Sequence, residues 1–268
     1  MRLFSALYQP ASLYRQIQAH RLVLAYRLML AGALLYASAP ANAQSQPDSF
    51  PGSTIKDGQI MIDDFESYSD GALPVGWKAQ LNGRLVPLTH EFVNDSEWFY
   101  VQRESGNGFA RAFADGEAVH VNKRNGDGFD WDVRTHPYLS WQWRANELPE
   151  GAREDNDRLN DSGAGLYVVF AMEGRIIRRP KAIKYVYSTT LPVGTTVSFG
   201  KLKVIVVDSG KDGTGSWKSV KRNVVEDYRM VFGGDPPSKP LYLRLWSDSD
   251  DTESVSMADF DNVMLSDK

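Results

Sequence analysis

The chain has 268 residues, with 30 basic and 34 acidic side chains, 42% apolar content and no cysteine. This balance excludes a disordered chain and a general nucleic-acid binder, and a chain of this length buries one sizeable core without covalent staples. Without cysteine there are no disulfides, no thiol catalysis and no Cys-ligated metal.

The first 43 residues carry Arg2, Arg15, Arg21 and Arg27 and no acid. Met1 to Arg27 form a long basic region, Leu28 to Tyr36 an apolar stretch, and Ala41-Asn42-Ala43 a small-x-small cleavage signal. That is the pattern of a secretory signal peptide cut after Ala43. A membrane anchor is the rival, but spanning needs about 20 apolar residues. The uncharged run here is shorter and ends in Ala, Ser and Pro. Cleavage removes four of the 30 basic residues and none of the 34 acidic ones, so the mature chain has a net charge of −8. The expected location is periplasmic or secreted, with no transmembrane anchor after cleavage. Residues 44–59 read as a flexible lead-in, and 60–268 as one domain.

From Ile60 onward the apolar signal has period two, in short runs separated by Gly, Pro, Asn and Asp. Strands are expected at Ile60 to Phe65, Trp98 to Arg103, Phe109 to Phe113, Ala118 to Asn122, Leu139 to Arg144, Leu166 to Met172, Ile183 to Ser188, Val197 to Val207, Leu241 to Trp246 and Val255 to Leu265. About ten strands with frequent turn signals spell an all-β, antiparallel two-sheet β-sandwich with one short helix. The helix is predicted from Asn223, three residues before Glu226. Val224, Val225, Tyr228, Val231 and Phe232 follow at helical spacing, and Gly233-Gly234 stops it.

The mature chain carries W-Q-W-R at Trp141 to Arg144, Leu148-Pro149, D-S-G-A-G-L-Y-V-V-F from Asp161 to Phe170 and K-Y-V-Y from Lys184 to Tyr187 with Gly194 after it. Ser209-Gly210, Trp217, R-N-V-V-E-D-Y from Arg222 to Tyr228, Phe232-Gly233 and the acidic stretch from Asp248 to Asp261 follow. In these residues the chain resembles a family of exported bacterial proteins catalogued as a domain of unknown function, number three thousand and forty-seven. The resemblance implies a jelly-roll-like sandwich and export, and no known activity. A looser similarity, to jelly-roll carbohydrate-binding modules, comes from D-D-F-E at Asp63 to Glu66 with Gly71, Pro74 and Trp77 after it, and from A-D-F-D-N-V at Ala258 to Val263. It is an analogy of architecture, and a fold does not set a function.

Two constellations carry chemistry. Asp63 and Glu66 near the first strand would meet Asp259 and Asp261 of the last if the terminal strands are neighbours. Ca²⁺, which takes 6 to 8 oxygens, is the cofactor such a set would hold, with a solvated acidic rim as the plainer reading. The loops Glu154 to Asp161 and Asp248 to Glu253 are also acid-rich, lack the spaced calcium-loop pattern, and read as solvated. Tyr242, Arg244, Trp246 and Asp248 alternate with Leu241, Leu243 and Leu245. If the leucines are core, the other side is a row of aromatic, cation, aromatic and acid. Sugar C–H faces stack on such rings while planar charged groups bond hydroxyls in pairs. Gln142 and Arg144 would join this face if their strand is adjacent, whereas a second buried face is the plainer reading. Trp141, Trp143, Tyr185 and Tyr187 read as core.

No catalytic residue can be assigned. His90, His120 and His136 are scattered, and no nucleophile elbow, zinc motif or phosphate loop occurs. The expectation is a non-catalytic exported protein binding a glycan or another envelope component. The alternatives are a sandwich-fold polysaccharide-cleaving enzyme, either lyase or glycosidase, and a structural envelope protein with protein partners only.

Overall fold

Alternating apolar and polar side chains put one face of a strand against a core and the other toward water, and this pattern builds most of the molecule. The computed structural model describes residues 55–56, 58–175 and 178–268. The expected signal peptide lies outside the described residues, as does most of the lead-in.

Among the described residues the strands are, in chain order, β1 (Ile55–Lys56), β2 (Gln59–Asp63), β3 (Lys78–Leu81), β4 (Arg84–Pro87), β5 (Glu97–Glu104), β6 (Asn107–Asp115), β7 (Ala118–Arg124), β8 (Tyr138–Glu147), β9 (Ala164–Glu173), β10 (Arg179–Ser188), β11 (Thr196–Phe199), β12 (Leu202–Ser209), β13 (Lys218–Asn223), β14 (Tyr242–Asp248) and β15 (Val255–Ser266). They form two sheets. In the seven-stranded sheet β15 is central, with β8 along one side, β6 and β2 sharing the other, and β13 outside β8. The eight-stranded sheet runs β11-β12-β10-β9-β14-β7-β3-β4.

The main core lies between the sheets, and a second, smaller buried cluster of Tyr167, Val169, Ala182 and Tyr242, with Trp246 packed against it, lies on the outer face of the eight-stranded sheet, as the plainer reading of β14 expects. Trp141 and Trp143 of β8 and Phe260 of β15 meet Leu166, Tyr185, Tyr187, Leu243 and Leu245 from the opposite sheet, all fully buried. The Trp141 and Tyr185 rings are 5.4 Å apart, and those of Trp143 and Tyr187 6.2 Å. Burying each such large side chain contributes about 1.5–3 kcal/mol, so this aromatic layer is a main source of stability. The two tyrosine hydroxyls donate to Asp227 and to the Gly210 carbonyl, which satisfies them inside the core.

The predicted helix is α1 (Val224–Phe232). The Asn223 side chain accepts from the Val225 and Glu226 amides, each at 3.2 Å, and Gly233 ends the helix at φ +70°.

Several details depart from expectation. Leu241 precedes β14 and is 40% exposed, so the inward leucines are Leu243 and Leu245 alone. The expected strand Val197 to Val207 is a hairpin, because Gly200 with φ +62° turns β11 into β12. β12 then pairs with β10 in parallel, the exception to an otherwise antiparallel sandwich. The β3–β4 hairpin, turned by Asn82-Gly83 with φ +50° and +74°, was not anticipated. Asn-Gly is a strong local signal for such a turn.

Candidate functional site

Because Leu243 and Leu245 point into the core, Tyr242, Arg244, Trp246 and Asp248 emerge on the outer face of the eight-stranded sheet. Antiparallel pairing then fixes their neighbours. Arg244 stands between Asn122 of β7 and Tyr167 of β9, and Trp246 between His120 and Gly165. Lys184 of β10 lies beyond Tyr167 in the same row.

Trp246 is half-buried. Its indole stacks on His120 at 4.6 Å and tilts against Tyr167 at 5.4 Å. Arg244 is only 8% exposed, and its Cζ lies 5.4 Å from the Trp246 ring centroid and 5.7 Å from those of Tyr167 and Tyr242. Its Nε donates to Asn122 Oδ1 at 2.7 Å and its Nη2 to Gln80 Oε1 at 2.5 Å. Burial pushes the guanidinium's pKa down, with Tyr242 and Tyr167 pulling weakly the other way. The result is a cation held by rings and neutral amides.

The other end of the row is acidic. Asp248 Oδ1 accepts from the Ser162 amide at 2.7 Å, and Lys184 Nζ stands 3.7 Å from Asp248 Oδ2. Burial pushes the Asp248 carboxyl up to about 7 against the pull of Lys184. Burial would lower the Lys184 ammonium, but Asp248, Tyr167 and Glu154 more than compensate and raise it. Gly165 makes room here: a Cβ would come within 3.2 Å of Lys184 Cε and 3.5 Å of Trp246 Cβ.

Behind Asp248, the two acid-rich loops are partly interior, contrary to the solvated reading. Asp161 is fully buried and accepts from the Asp251 amide, the Thr252 amide and the Thr252 hydroxyl at 2.6–3.2 Å. Ligand atoms of Asp161, Asp250 and Asp251 lie within 4.8 Å of one another, a set that could hold a metal ion. Burial, then Asp161 and Asp250, push Asp251 up to about 6. Glu154 is 1% exposed, and its Oε2 accepts from the Ser188 hydroxyl at 2.5 Å.

Of the residues expected to bind ligand, Tyr242, Arg244, Trp246 and Asp248 come together. Gln142 and Arg144 do not join them, because β8 belongs to the other sheet and turns them to the opposite outer face. Arg144 there contacts Asp259 at 2.6–2.7 Å and Glu104 at 2.9 Å, and stacks over Trp217 and Phe109. Gln142 is bonded to Ser219 and Asn262.

The four acids expected to hold calcium are placed differently from the expectation. The terminal strands β2 and β15 are indeed neighbours. Asp63, however, accepts from Trp77 Nε1 at 2.8 Å, Lys123 Nζ at 3.1 Å, the Phe65 amide and the Tyr68 hydroxyl. Asp259 is taken by Arg111, Arg144 and Asn146. Glu66 serves Arg103 and the Gly108 amide, and Asp261 serves Asn107 and the Asn262 amide. Each of the four is held by different protein donors, and among the described residues they do not gather three ligand atoms around one point, so this set corrects to a structural role.

The sequence reading missed His120, Tyr167, Lys184 and Gln80. Two carried a signal: Tyr167 alternates with Leu166 and Val168, and Lys184 with Ile183 and Tyr185, which places both on outward faces.

A family model described as "Protein of unknown function (DUF3047)" matches residues 87–264. The chain belongs to this family. A search of curated proteins finds no match. Among solved structures, this DUF3047 member is similar to the family 11 carbohydrate-binding module of the cellulosomal cellulase Lic26A-Cel5E of Clostridium thermocellum. The identity is 11%, with 78% of this chain and 94% of that one covered and a TM-score of 0.38. The family 30 module of cellulosomal cellulase Cel9D-Cel44B of the same organism gives 13% identity, coverage of 75% and 95%, and a TM-score of 0.37. An exo-beta-agarase gives 10%, 78%, 25% and 0.34. At such identities and scores the likeness says nothing about a ligand.

Proposed function

We propose that this protein is an exported, non-catalytic β-sandwich, periplasmic or secreted, that binds a glycan through the outer face of its eight-stranded sheet. The observation that carries this is the row Tyr242, Arg244 and Trp246, turned away from the core, with the indole half-buried between Tyr167 and His120 and the other two side chains buried beside it. Aromatic edges and a planar cation on one rigid sheet offer a sugar both apolar contact and directed hydrogen bonds. Export rests on the basic, apolar and small-residue order of the first 43 residues. Calcium belongs to the same proposal, at Asp161, Asp250 and Asp251 rather than at the terminal strands.

The test is a glycan array followed by affinity electrophoresis on the positives. Trp246→Ala is expected to weaken retention at least about tenfold while melting remains cooperative. Unchanged retention by a folded Trp246→Ala variant overturns the site, and an array with no positives overturns the glycan reading.

Cleavage of the bound glycan is a second reading, favoured by one observation: Asp248, next to the aromatic row, has a carboxyl raised to about 7 and so can hold a proton at neutral pH. New reducing ends or unsaturated products from an array-positive glycan would establish it. Their absence leaves the non-catalytic reading in place.

A further inference from the structure

Arg244 is more than nine-tenths buried, yet among the described residues no carboxylate lies within ion-pair distance of it. Its two hydrogen-bond acceptors, Asn122 Oδ1 and Gln80 Oε1, are neutral amides, and a guanidinium has five N–H donors. The other buried cations of the sandwich are treated differently. Lys123 has Asp63 and Lys184 has Asp248, and even the half-buried Arg144 on the opposite face has Asp259. A sheltered cation without a counter-ion is costly, and the surrounding rings offset only part of that cost.

We infer that the glycan taken by this face is acidic, and that a uronate carboxylate of the saccharide is the missing counter-ion of Arg244. This rests on the glycan reading above and deepens it. A planar carboxylate takes the guanidinium N–H donors that Asn122 and Gln80 leave free, while the sugar ring lies along Trp246. The charge distribution gives the ligand a direction. Arg124, exposed and directly opposite Tyr242, adds a second cation at that end. Asp248 lies four residues along β14 from Arg244, more than about 12 Å by strand rise, with Asp161, Asp250 and Asp251 behind it. A carboxylate is therefore drawn toward Arg244 and Arg124, while the acids behind Asp248 disfavour it at the other end, where neutral hydroxyls would sit.

The experiment titrates the mature chain with polygalacturonate and alginate, each beside its carboxyl-reduced counterpart, and with dextran sulfate. The expected result is retention of at least one uronate polymer at least tenfold stronger than of its reduced twin, lost in about 0.5 M salt. Arg244→Met should abolish that preference. Arg244→Lys, which keeps the charge and loses the fork, should weaken it and decides the matter if the Met variant does not fold. Equal binding of acidic and reduced polymers overturns the inference and leaves the glycan reading standing. So does a preference that survives in both variants, or binding of dextran sulfate alone among the anionic polymers. No binding to any of these polymers overturns the inference, while the array tests the glycan reading separately.

Discussion

Asp63 and Asp161 are both buried carboxylates in acidic segments, and the charges beside them, a lysine for Asp63 and two further acids for Asp161, give them different roles. Among the described residues Asp63 is the only acid within ion-pair reach of the buried Lys123, and it also holds the indole of Trp77. Removing its charge leaves that ammonium unpaired, so Asp63→Asn should cost about 3–5 kcal/mol in urea unfolding. It should leave any calcium response intact. Asp161→Asn should do the opposite to that response: added Ca²⁺ would no longer raise the melting temperature, because a native-state ligand stabilises only through its site. At this scale the sequence was a good guide to Tyr242, Arg244, Trp246 and Asp248, since period two within one strand sorts faces without knowledge of the fold. It was a poor guide to Asp63 and Asp259. A carboxylate looks the same in sequence whether its oxygens meet an ion or three N–H donors.

Among the elements, α1 was readable in full because its signals are local: Asn223 as cap, an apolar stripe, and Gly233 as stop. Asn223→Ala should destabilise by about 1 kcal/mol in the same urea assay, by leaving the Val225 and Glu226 amides without their acceptor. The β3–β4 hairpin was equally local, and Asn82-Gly83 announces it. The parallel pairing of β10 with β12 was not readable. Alternation reports which side of a strand is buried, and says nothing about the direction in which its neighbour runs. The same limit misplaced Gln142 and Arg144. Their own strand was read correctly as outward-facing at those positions, but the sheet to which β8 belongs depends on β15 and β13.

For the molecule as a whole, burial raises several carboxyls together: Asp248 to about 7, Asp251 and Asp261 to about 6. Between their unfolded values near 4 and these folded values, the native protein binds more protons than the unfolded chain, so stability falls as pH rises. The melting temperature should therefore be several degrees higher at about pH 5 than at about pH 8. Asp132 has the opposite sign, held down to about 2 by Arg134, and its contribution is lost only below about pH 4. Asp261→Asn should flatten the slope between pH 4 and 6, measured by thermal melts across that range. A flat profile in the unmodified protein would show that these carboxyls are hydrated rather than sheltered.

The sequence by itself determined the all-β class, the helix, the core tryptophans and the outward row on β14. All of these follow from periodicity and caps, which act over a few residues. The tertiary structure decided which strands stand beside β14, and so brought His120, Tyr167 and Lys184 to Trp246 and, among the described residues, withheld an acid from Arg244. It also drew Asp161 toward Asp250 and Asp251. The physical reason is that charge pairing and ring contact are settled by neighbours in space, and in a sandwich of non-local strands those neighbours lie scores of residues apart in the chain.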